Sequence, residues 1–202
     1  MNSLLVLLST LAAVSALSTR SASRRGSAVT MMAEKSKSLP FLPQPEALVG
    51  MVGDVGFDPL GFSKNIDVRW LREAELKHGR IAMLATLGFI VAEFVHLPGD
   101  VHNVGSVAAH DAAVKYGAMW QLFIWLGLFE VLSAKGIIEM LEGSGRAPGD
   151  FGFDPLKFSK GKPEKFQADL ALKEMQNGRL AMIAFSGIVT GAVLSGKGFP
   201  YF

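Results

Sequence analysis

Two short stretches of the chain place a carboxylate, a neutral metal-binding group and a guanidinium at the same spacing. The first stretch has Glu75, His78 and Arg80 at positions i, i+3 and i+5. The second stretch repeats that spacing with Glu174, Asn177 and Arg179. Carboxylate oxygens, amide oxygens and imidazole nitrogens are metal ligands, and a guanidinium neutralises a carboxylate in apolar surroundings. The two stretches are therefore candidate coordination sites for a divalent cation such as Mg²⁺.

The spacing also indicates how these charges pair. Residues i and i+5 of a helix lie about 140° apart, so Glu75 does not easily reach Arg80 on its own helix. Both charges stand where an apolar run begins, where an unpaired charge is costly. We expect two reciprocal pairs between crossing helices: Glu75 with Arg179, and Glu174 with Arg80. Small residues would permit the close crossing, namely Gly79, Ala82, Gly178 and Ala181. In the alternative, all four charges reach the membrane interface separately.

Three apolar segments supply the helices that must position these groups. We expect them at Asp67–Leu97, at about Ala113–Met140 and at Gln167–Leu194. Their apolar parts fall a little short of the ~20 residues that cross a bilayer, but each helix extends through polar residues at one end. They lack the polar stripe of a soluble helix. The pattern predicts an all-α membrane protein with three transmembrane helices, the alternative being a soluble bundle of three buried helices.

An internal repeat relates the first and third segments. Residues 52–64 (VGDVGFDPLGFSK) match residues 148–160 (PGDFGFDPLKFSK), and each copy leads into one of the two charged motifs. Copies that enter a membrane in the same direction are naturally related by a two-fold axis along the membrane normal. In the lead-ins, Asp58-Pro59 and Asp154-Pro155 have the composition of turns.

The N-terminal residues have the composition of targeting segments. Residues 4–16 are an apolar run that ends in Val-Ser-Ala, and residues 17–33 are rich in Ser, Thr, Ala and Arg. We expect residues 1–32 to be a bipartite leader, a signal peptide followed by a transit peptide, that is removed, and residues 33–202 to form one domain. The alternative is one irregular signal peptide followed by a disordered arm. Residues 1–32 hold three Arg and no acid, so their removal changes the net charge from +2 to −1 and argues against nucleic-acid binding.

The ligand types discriminate between kinds of membrane protein. The second apolar segment adds Gln121 and Glu130, again polar groups in apolar sequence. Glu75-x-x-His78 matches half of a di-iron carboxylate site, but the second copy has Asn177 in place of His and only three helices are available. Three segments form a poor transport pathway, and no hydrolase or nucleotide-binding motif is present. Single ligands on separate helix faces suit metals already held by a macrocycle, such as the magnesium of chlorophyll.

At these residues the chain resembles the light-harvesting chlorophyll-binding antenna family. The resemblance covers roughly residues 40–198, and the paired Glu-x-x-(His/Asn)-x-Arg motifs followed by Ala-Met are highly specific to it. The lead-in sequence and residues 36–43 (SKSLPFLP) are similar to the fucoxanthin chlorophyll a/c-binding branch, found in algae with secondary plastids.

The resemblance implies a pigment scaffold that performs no bond chemistry and passes excitation energy to a photosystem. It implies that six side chains ligate chlorophyll magnesium: Glu75, His78, Gln121, Glu130, Glu174 and Asn177. Arg80 and Arg179 would form the structural ion pairs. The pigments would be chlorophyll a, chlorophyll c and fucoxanthin or a related xanthophyll, with carotenoid ends near the Asp58-Pro59 and Asp154-Pro155 turns.

The resemblance also implies a location and partners. The protein would lie in the thylakoid membrane of a plastid, with thylakoid lipids around it. Positively charged residues flank the first segment on its N-terminal side and fill the second loop, so this side would face the stroma. The core of photosystem I or II and neighbouring antenna subunits would be the partners.

Departures from the family leave a second function open. Many relatives carry a Gln ligand late in the third helix, where this chain has Gly191. The alternative function is a photoprotective member that dissipates energy when the lumen acidifies. The residues that could titrate cluster between and beside the first two segments: His96, Asp100, His102, His110 and Asp111. An ordinary solvated loop explains the same cluster.

Overall fold

A computed structural model describes residues 35–99, 102–159 and 161–201. Within these ranges the chain is helical, with one isolated bridge between Lys35 and Pro43 and no strand. The elements are a short 3₁₀ helix at Glu46–Leu48, α1 (Phe62–Asn65), α2 (Val68–Phe94), α3 (Ser106–Tyr116), α4 (Ala118–Leu141) and α5 (Glu164–Ser195). The leader expected at residues 1–32 and the candidate titratable residue Asp100 lie outside the described residues.

The two helices of the repeat, α2 and α5, begin and end at residues suited to these positions. The carboxylate of Asp67 accepts a hydrogen bond from the Arg69 backbone N–H and caps α2. Pro163 precedes α5, and Gly196 ends it in the left-handed conformation. Both helices agree with the sequence expectation to within a few residues.

The second apolar segment is not one continuous helix, which corrects the expectation of a single helix from about Ala113. The chain instead forms α3 and α4, separated at Gly117, whose φ is 85°. Its N–H bonds to the Val114 carbonyl, so Gly117 ends α3 in a left-handed cap before α4 starts. Gly117 lies inside an apolar run that already starts at Tyr116, which is why the sequence pattern did not reveal the break.

The backbones of α2 and α5 approach each other closely at a pair of glycines. A Cβ atom on Gly79 would lie 3.0 Å from the Gly178 Cα, and one on Gly178 would lie 3.1 Å from the Gly79 Cα. Ala82 and Ala181 are buried nearby. Small residues therefore let the two backbones touch, as expected.

The repeated lead-ins fold into equivalent turns. Asp58 accepts hydrogen bonds from the Phe62 N–H, the Ser63 N–H and the Ser63 hydroxyl, at 3.0, 3.0 and 2.6 Å. Asp154 does the same with Phe158 and Ser159, at 3.0, 2.9 and 2.8 Å. Partial burial raises the pKa of Asp58, but the hydrogen bonds from Ser63 outweigh this and lower it overall. The turn chemistry expected from the sequence is confirmed.

Two helices, α4 and α5, are long and apolar enough to cross a membrane. Only 6% of the apolar window of α4 is buried, and 17% of that of α5, whereas the core helix of a soluble protein is mostly buried. α2 is 27 residues long but carries Lys77 and Arg80 near its middle and Glu93 near its C-terminal end. Over the residues that it describes, the structure thus shows an all-helical protein with two candidate membrane spans.

Replacing Gly79 with Leu should force α2 and α5 apart. The new side chain would meet the Gly178 backbone, and overpacking of this kind costs about 1–3 kcal/mol. The unfolding free energy of the protein in mild detergent, followed by circular dichroism, should fall accordingly. Gly88→Leu is the matched control, because no atom lies within 4 Å of a Cβ there. An equal effect of both substitutions would contradict the close crossing.

Candidate functional site

Two reciprocal ion pairs join α2 and α5 beside the glycine contact. The Arg179 Nε donates to the Glu75 Oε1 at 2.8 Å, and the Arg80 Nε donates to the Glu174 Oε1 at 2.6 Å. This is the crossed arrangement expected from the i, i+5 spacing. Each pair is neutral overall, and its side chains keep roughly a third of their surface exposed.

Each arginine also binds the lead-in turn of the other copy of the repeat. The Arg179 Nη1 donates to the Gly53 carbonyl and the Arg80 Nη1 donates to the Gly149 carbonyl, both at 2.9 Å. Gly53 and Gly149 are equivalent residues of the two lead-ins, and both have positive φ. One guanidinium thus ties the helix crossing to the turn, a contact that the sequence analysis did not anticipate.

The two glutamates of the repeat differ in their second carboxylate oxygen. The Arg72 Nη1 donates to the Glu75 Oε2 at 2.8 Å, so both oxygens of Glu75 accept a hydrogen bond from arginine. Neither oxygen of Glu75 is therefore left free for a metal, although the sequence analysis places Glu75 among the magnesium ligands. The residue equivalent to Arg72 in the second copy is Ala171. The Glu174 Oε2 consequently accepts no hydrogen bond from the part of the chain that the structure describes.

His78 and Asn177 lie on the outside of the crossing, one turn after the glutamates. The His78 Nδ1 is 2.7 Å from the Ala74 carbonyl, so Nδ1 carries the proton and Nε2 keeps its lone pair. Asn177 is exposed, and its side chain makes no hydrogen bond within the described ranges. Both side chains present a ligand atom to the surroundings of the helix pair.

The two ligand candidates of α4 stand apart from the crossing. Gln121 is exposed. Glu130 is 62% exposed, and its Oε2 accepts a hydrogen bond from the Lys77 Nζ of α2 at 2.6 Å. Lys77 also donates to the Ser133 hydroxyl at 2.9 Å. The sequence analysis named Glu130 but missed the lysine.

A buried ion pair that the sequence analysis missed anchors the second turn. Glu73 is 1% exposed and pairs with the Arg146 Nη2 at 3.3 Å. The Gly149 N–H also donates to Glu73. Arg146 in turn donates to the Gly136 carbonyl at 3.2 Å and lies over the Phe151 ring. The repeat gave no signal for this cluster, because Leu172 replaces Glu73 in the second copy.

A groove of about 600 Å³ runs beside the crossing, between the first turn and the helices. Phe57 and Asp58 of the turn line one side, and Leu71, Met182 and Ile183 of the helices line the other. Its walls are mainly apolar, with Glu75 and Arg179 also contributing. This shape and chemistry fit a long apolar molecule with a polar end.

Comparison with known proteins decides the family. A family model described as Chlorophyll A-B binding protein matches residues 44–193. The chain belongs to this family. It is 40% identical over 147 residues to a fucoxanthin-chlorophyll a-c binding protein of Chattonella marina var. antiqua, covering 70% of this chain and 66% of the relative, just under two thirds of that protein. The corresponding protein of Isochrysis galbana is 37% identical over 153 residues, covering 69% of this chain and 73% of the relative.

A relative with another role is similar to the same extent. Light-harvesting complex stress-related protein 1 of Chlamydomonas reinhardtii is 39% identical over 150 residues. The match covers 66% of this chain and 58% of that protein. The named chlorophyll-binding relatives agree with the family resemblance inferred from the charged motifs.

The structure fills the helix face at Gly191 with the chain's own C-terminal residues. A Cβ atom on Gly191 would lie 3.0 Å from the Tyr201 carbonyl oxygen. Tyr201 is buried, with its ring 5.6 Å from that of Phe89 and 5.7 Å from that of Phe199. The helix face at Gly191 is therefore covered by Tyr201.

Removing either member of the Arg80–Glu174 pair should destabilise the crossing and prevent stable pigment assembly. Arg80→Ala or Glu174→Ala leaves one charge unpaired beside an apolar helix contact. The unfolding free energy should fall by more than the about 1 kcal/mol that an exposed ion pair contributes. It should fall by less than the roughly 3–5 kcal/mol lost when a buried pair is broken. Thermal unfolding in detergent measures the loss, and the pigment content of refolded protein measures assembly.

The matched control for this pair is Lys173→Ala, which removes an exposed pair with Asp169 on the same helix. It should change stability by only a few tenths of a kcal/mol, as about 0.3–0.5 is usual for i, i+4 pairs. Arg80→Ala protein that unfolds like wild type and keeps its pigments would overturn the crossed-pair account.

Proposed function

We propose that the protein is a light-harvesting antenna subunit that binds chlorophylls and carotenoids and passes excitation energy to a photosystem. The observation that carries the proposal is the pair of reciprocal Glu–Arg contacts at the α2–α5 crossing, in a chain of the Chlorophyll A-B binding protein family. The pairs neutralise carboxylates on an apolar helix and leave ligand atoms directed outward.

The donor atoms fit magnesium that a macrocycle already holds. The Glu174 Oε2, the His78 Nε2, Asn177, Gln121 and the Glu130 Oε1 are single donors on separate, exposed parts of the helices. Within the described ranges, no three His, Asp or Glu side chains form a group able to hold a bare metal ion. One axial donor for each chlorophyll is the remaining arrangement. Glu75, with both oxygens bound by arginine, is the weakest donor of the six.

In this proposal the chain acts by holding pigments in fixed positions. Bound chlorophyll would absorb light and exchange excitation energy with neighbouring pigments. The residues hold each pigment at a fixed place: the ion pairs fix the crossing, the arginines fix the turns, and the exposed apolar side chains of α4 and α5 exclude water. No residue makes or breaks a covalent bond, so the protein is proposed to have no enzymatic activity.

We further propose that α2, α4 and α5 all cross the membrane and that a pseudo-two-fold axis relates α2 to α5. Support comes from contacts repeated at equivalent positions: the Glu–Arg pairs, the Gly53 and Gly149 carbonyls, and the Asp58 and Asp154 turns. The salt bridge to Glu130 and the ion pair to Glu174 compensate two of the charges of α2, Lys77 and Arg80. The groove beside the first turn would accept the end of a carotenoid near Asp58-Pro59, and Asp154-Pro155 would serve the second copy.

The finer assignments follow the relatives' names and the charge distribution. Chlorophyll a, chlorophyll c and fucoxanthin or a related xanthophyll would be the pigments. The protein would lie in the thylakoid membrane of a plastid, with residues 1–32 removed and the basic side facing the stroma. The two-part composition of the leader favours an alga with a secondary plastid. The core of photosystem I or II and neighbouring antenna subunits would receive the energy.

Refolding with pigments tests the antenna function and one ligand together. Protein refolded with chlorophyll a, chlorophyll c and fucoxanthin should show chlorophyll a emission when the carotenoid is excited. His78→Leu should lose about one chlorophyll per chain, because the Nε2 donor is gone. His110→Leu is the control, since this exposed imidazole lies on α3, outside the ligand set. Colourless wild-type protein would contradict the antenna function.

A photoprotective role is the second candidate, favoured by the 39% identity to the stress-related relative. His96, His102, His110 and Asp111 would lie on the lumenal side, the side that acidifies in this role. If this role holds, the chlorophyll fluorescence lifetime of pigmented protein should shorten between pH 8 and pH 5. Replacing His96, His102 and His110 with Gln should remove the change. If the lifetime does not change across this pH range, the photoprotective role is contradicted and light harvesting remains as the function.

A further inference from the structure

The carboxylate of Glu130 has its counter-charge on another helix. Glu130 lies 11 residues before the end of α4 at Leu141, which is about 16 Å along the helix axis. The residues one turn away on α4 are Leu126, Gly127, Ser133 and Ala134, none of them cationic. The cation that reaches this carboxylate is Lys77 of α2, at 2.6 Å.

The contacts of Lys77 fix the orientation of the carboxylate. The ammonium donates to the Glu130 Oε2 and to the Ser133 hydroxyl, and that hydroxyl donates to the Glu130 backbone carbonyl at 3.0 Å. Lys77 is only 21% exposed, whereas Glu130 is 62% exposed. One carboxylate oxygen therefore faces the lysine at the α2–α4 contact. The Glu130 Oε1 accepts no hydrogen bond from any residue that the structure describes.

This arrangement matches the one at the helix crossing. Glu174 is neutralised through Oε1 by Arg80 of the other helix and keeps Oε2 open, and Glu130 is neutralised through Oε2 by Lys77 and keeps Oε1 open. In both cases the cation comes from α2. A neutral pair with one open oxygen is what a metal ligand in apolar surroundings requires.

We propose that Lys77 is the positioning residue of a chlorophyll site at Glu130, a third interhelical ion pair that neutralises the ligand carboxylate and aims its open oxygen at the magnesium. This inference rests on the proposed function. It assigns to Lys77 a role that the repeat does not contain, since the equivalent residue of α5 is Gln176.

Four variants of the full chain, refolded with chlorophyll a, chlorophyll c and fucoxanthin, test the role of Lys77. Lys77→Met keeps most of the side-chain length and removes the charge, so it should lose about one chlorophyll per chain. Lys77→Arg keeps the charge and should retain the pigment. The double variant Lys77→Met/Glu130→Gln should regain it, because a neutral amide oxygen needs no counter-charge. Lys135→Met is the matched control, as it removes an exposed cation from α4 and should bind pigment like wild type.

A second measurement examines the pair without pigment. In detergent-solubilised, pigment-free protein, acylation by acetic anhydride should modify Lys77 more slowly than Lys135. Glu130→Gln should raise the rate at Lys77 several-fold and leave that at Lys135 unchanged. Circular dichroism should show wild-type helix content in every variant that enters the comparison.

The outcomes separate this inference from the antenna function. Wild-type protein without chlorophyll would overturn both. Wild-type protein with a full pigment content and Lys77→Met protein with the same content would overturn only the role of Lys77. A double variant as deficient as Lys77→Met would also overturn it, since the loss would then come from packing of the lysine and not from its charge.

Discussion

Neutralising carboxylates between helices is the constraint on which the rest of the structure depends. Glutamate is a useful ligand for magnesium, but its charge is not tolerated alone on an apolar helix. The chain meets this constraint with a cation from a neighbouring helix: Arg179 for Glu75, Arg80 for Glu174 and Lys77 for Glu130. The same contacts that make ligands possible therefore also hold the helices together.

The glycine contact and the turns follow from this constraint. Guanidinium groups reach across to the partner helix only if the backbones are close, and Gly79 and Gly178 provide that distance. The remaining donors of Arg80 and Arg179 then meet the turn carbonyls of Gly149 and Gly53. A change at one of these positions consequently affects both the crossing and the turn.

Sequence reasoning was most successful for the contacts that the internal repeat presents twice. The crossed pairs and the Asp58 and Asp154 turns appear twice at the same spacing, so geometry on one helix implied its complement on the other. Sequence reasoning missed the contacts that occur only once and join residues far apart in the chain. Neither Arg146 with Glu73 nor Lys77 with Glu130 has a counterpart in the repeat, and no local pattern relates residues so far apart. The sequence did not reveal the break at Gly117, because the apolar run that contains it already starts at Tyr116.

The attachment of α4 differs from that of α5. Within the described residues, its polar contacts with α2 and with the loop after α4 all fall in its C-terminal half, where Arg69, Lys77 and Arg146 bind the Met140 carbonyl, Glu130 and the Gly136 carbonyl. The other end of α4 reaches α2 through α3, whose Ser106 N–H donates to the Glu93 carboxylate at 3.0 Å. The position of the N-terminal half of α4 therefore depends on α3 and on Gly117, the residue that separates the two helices.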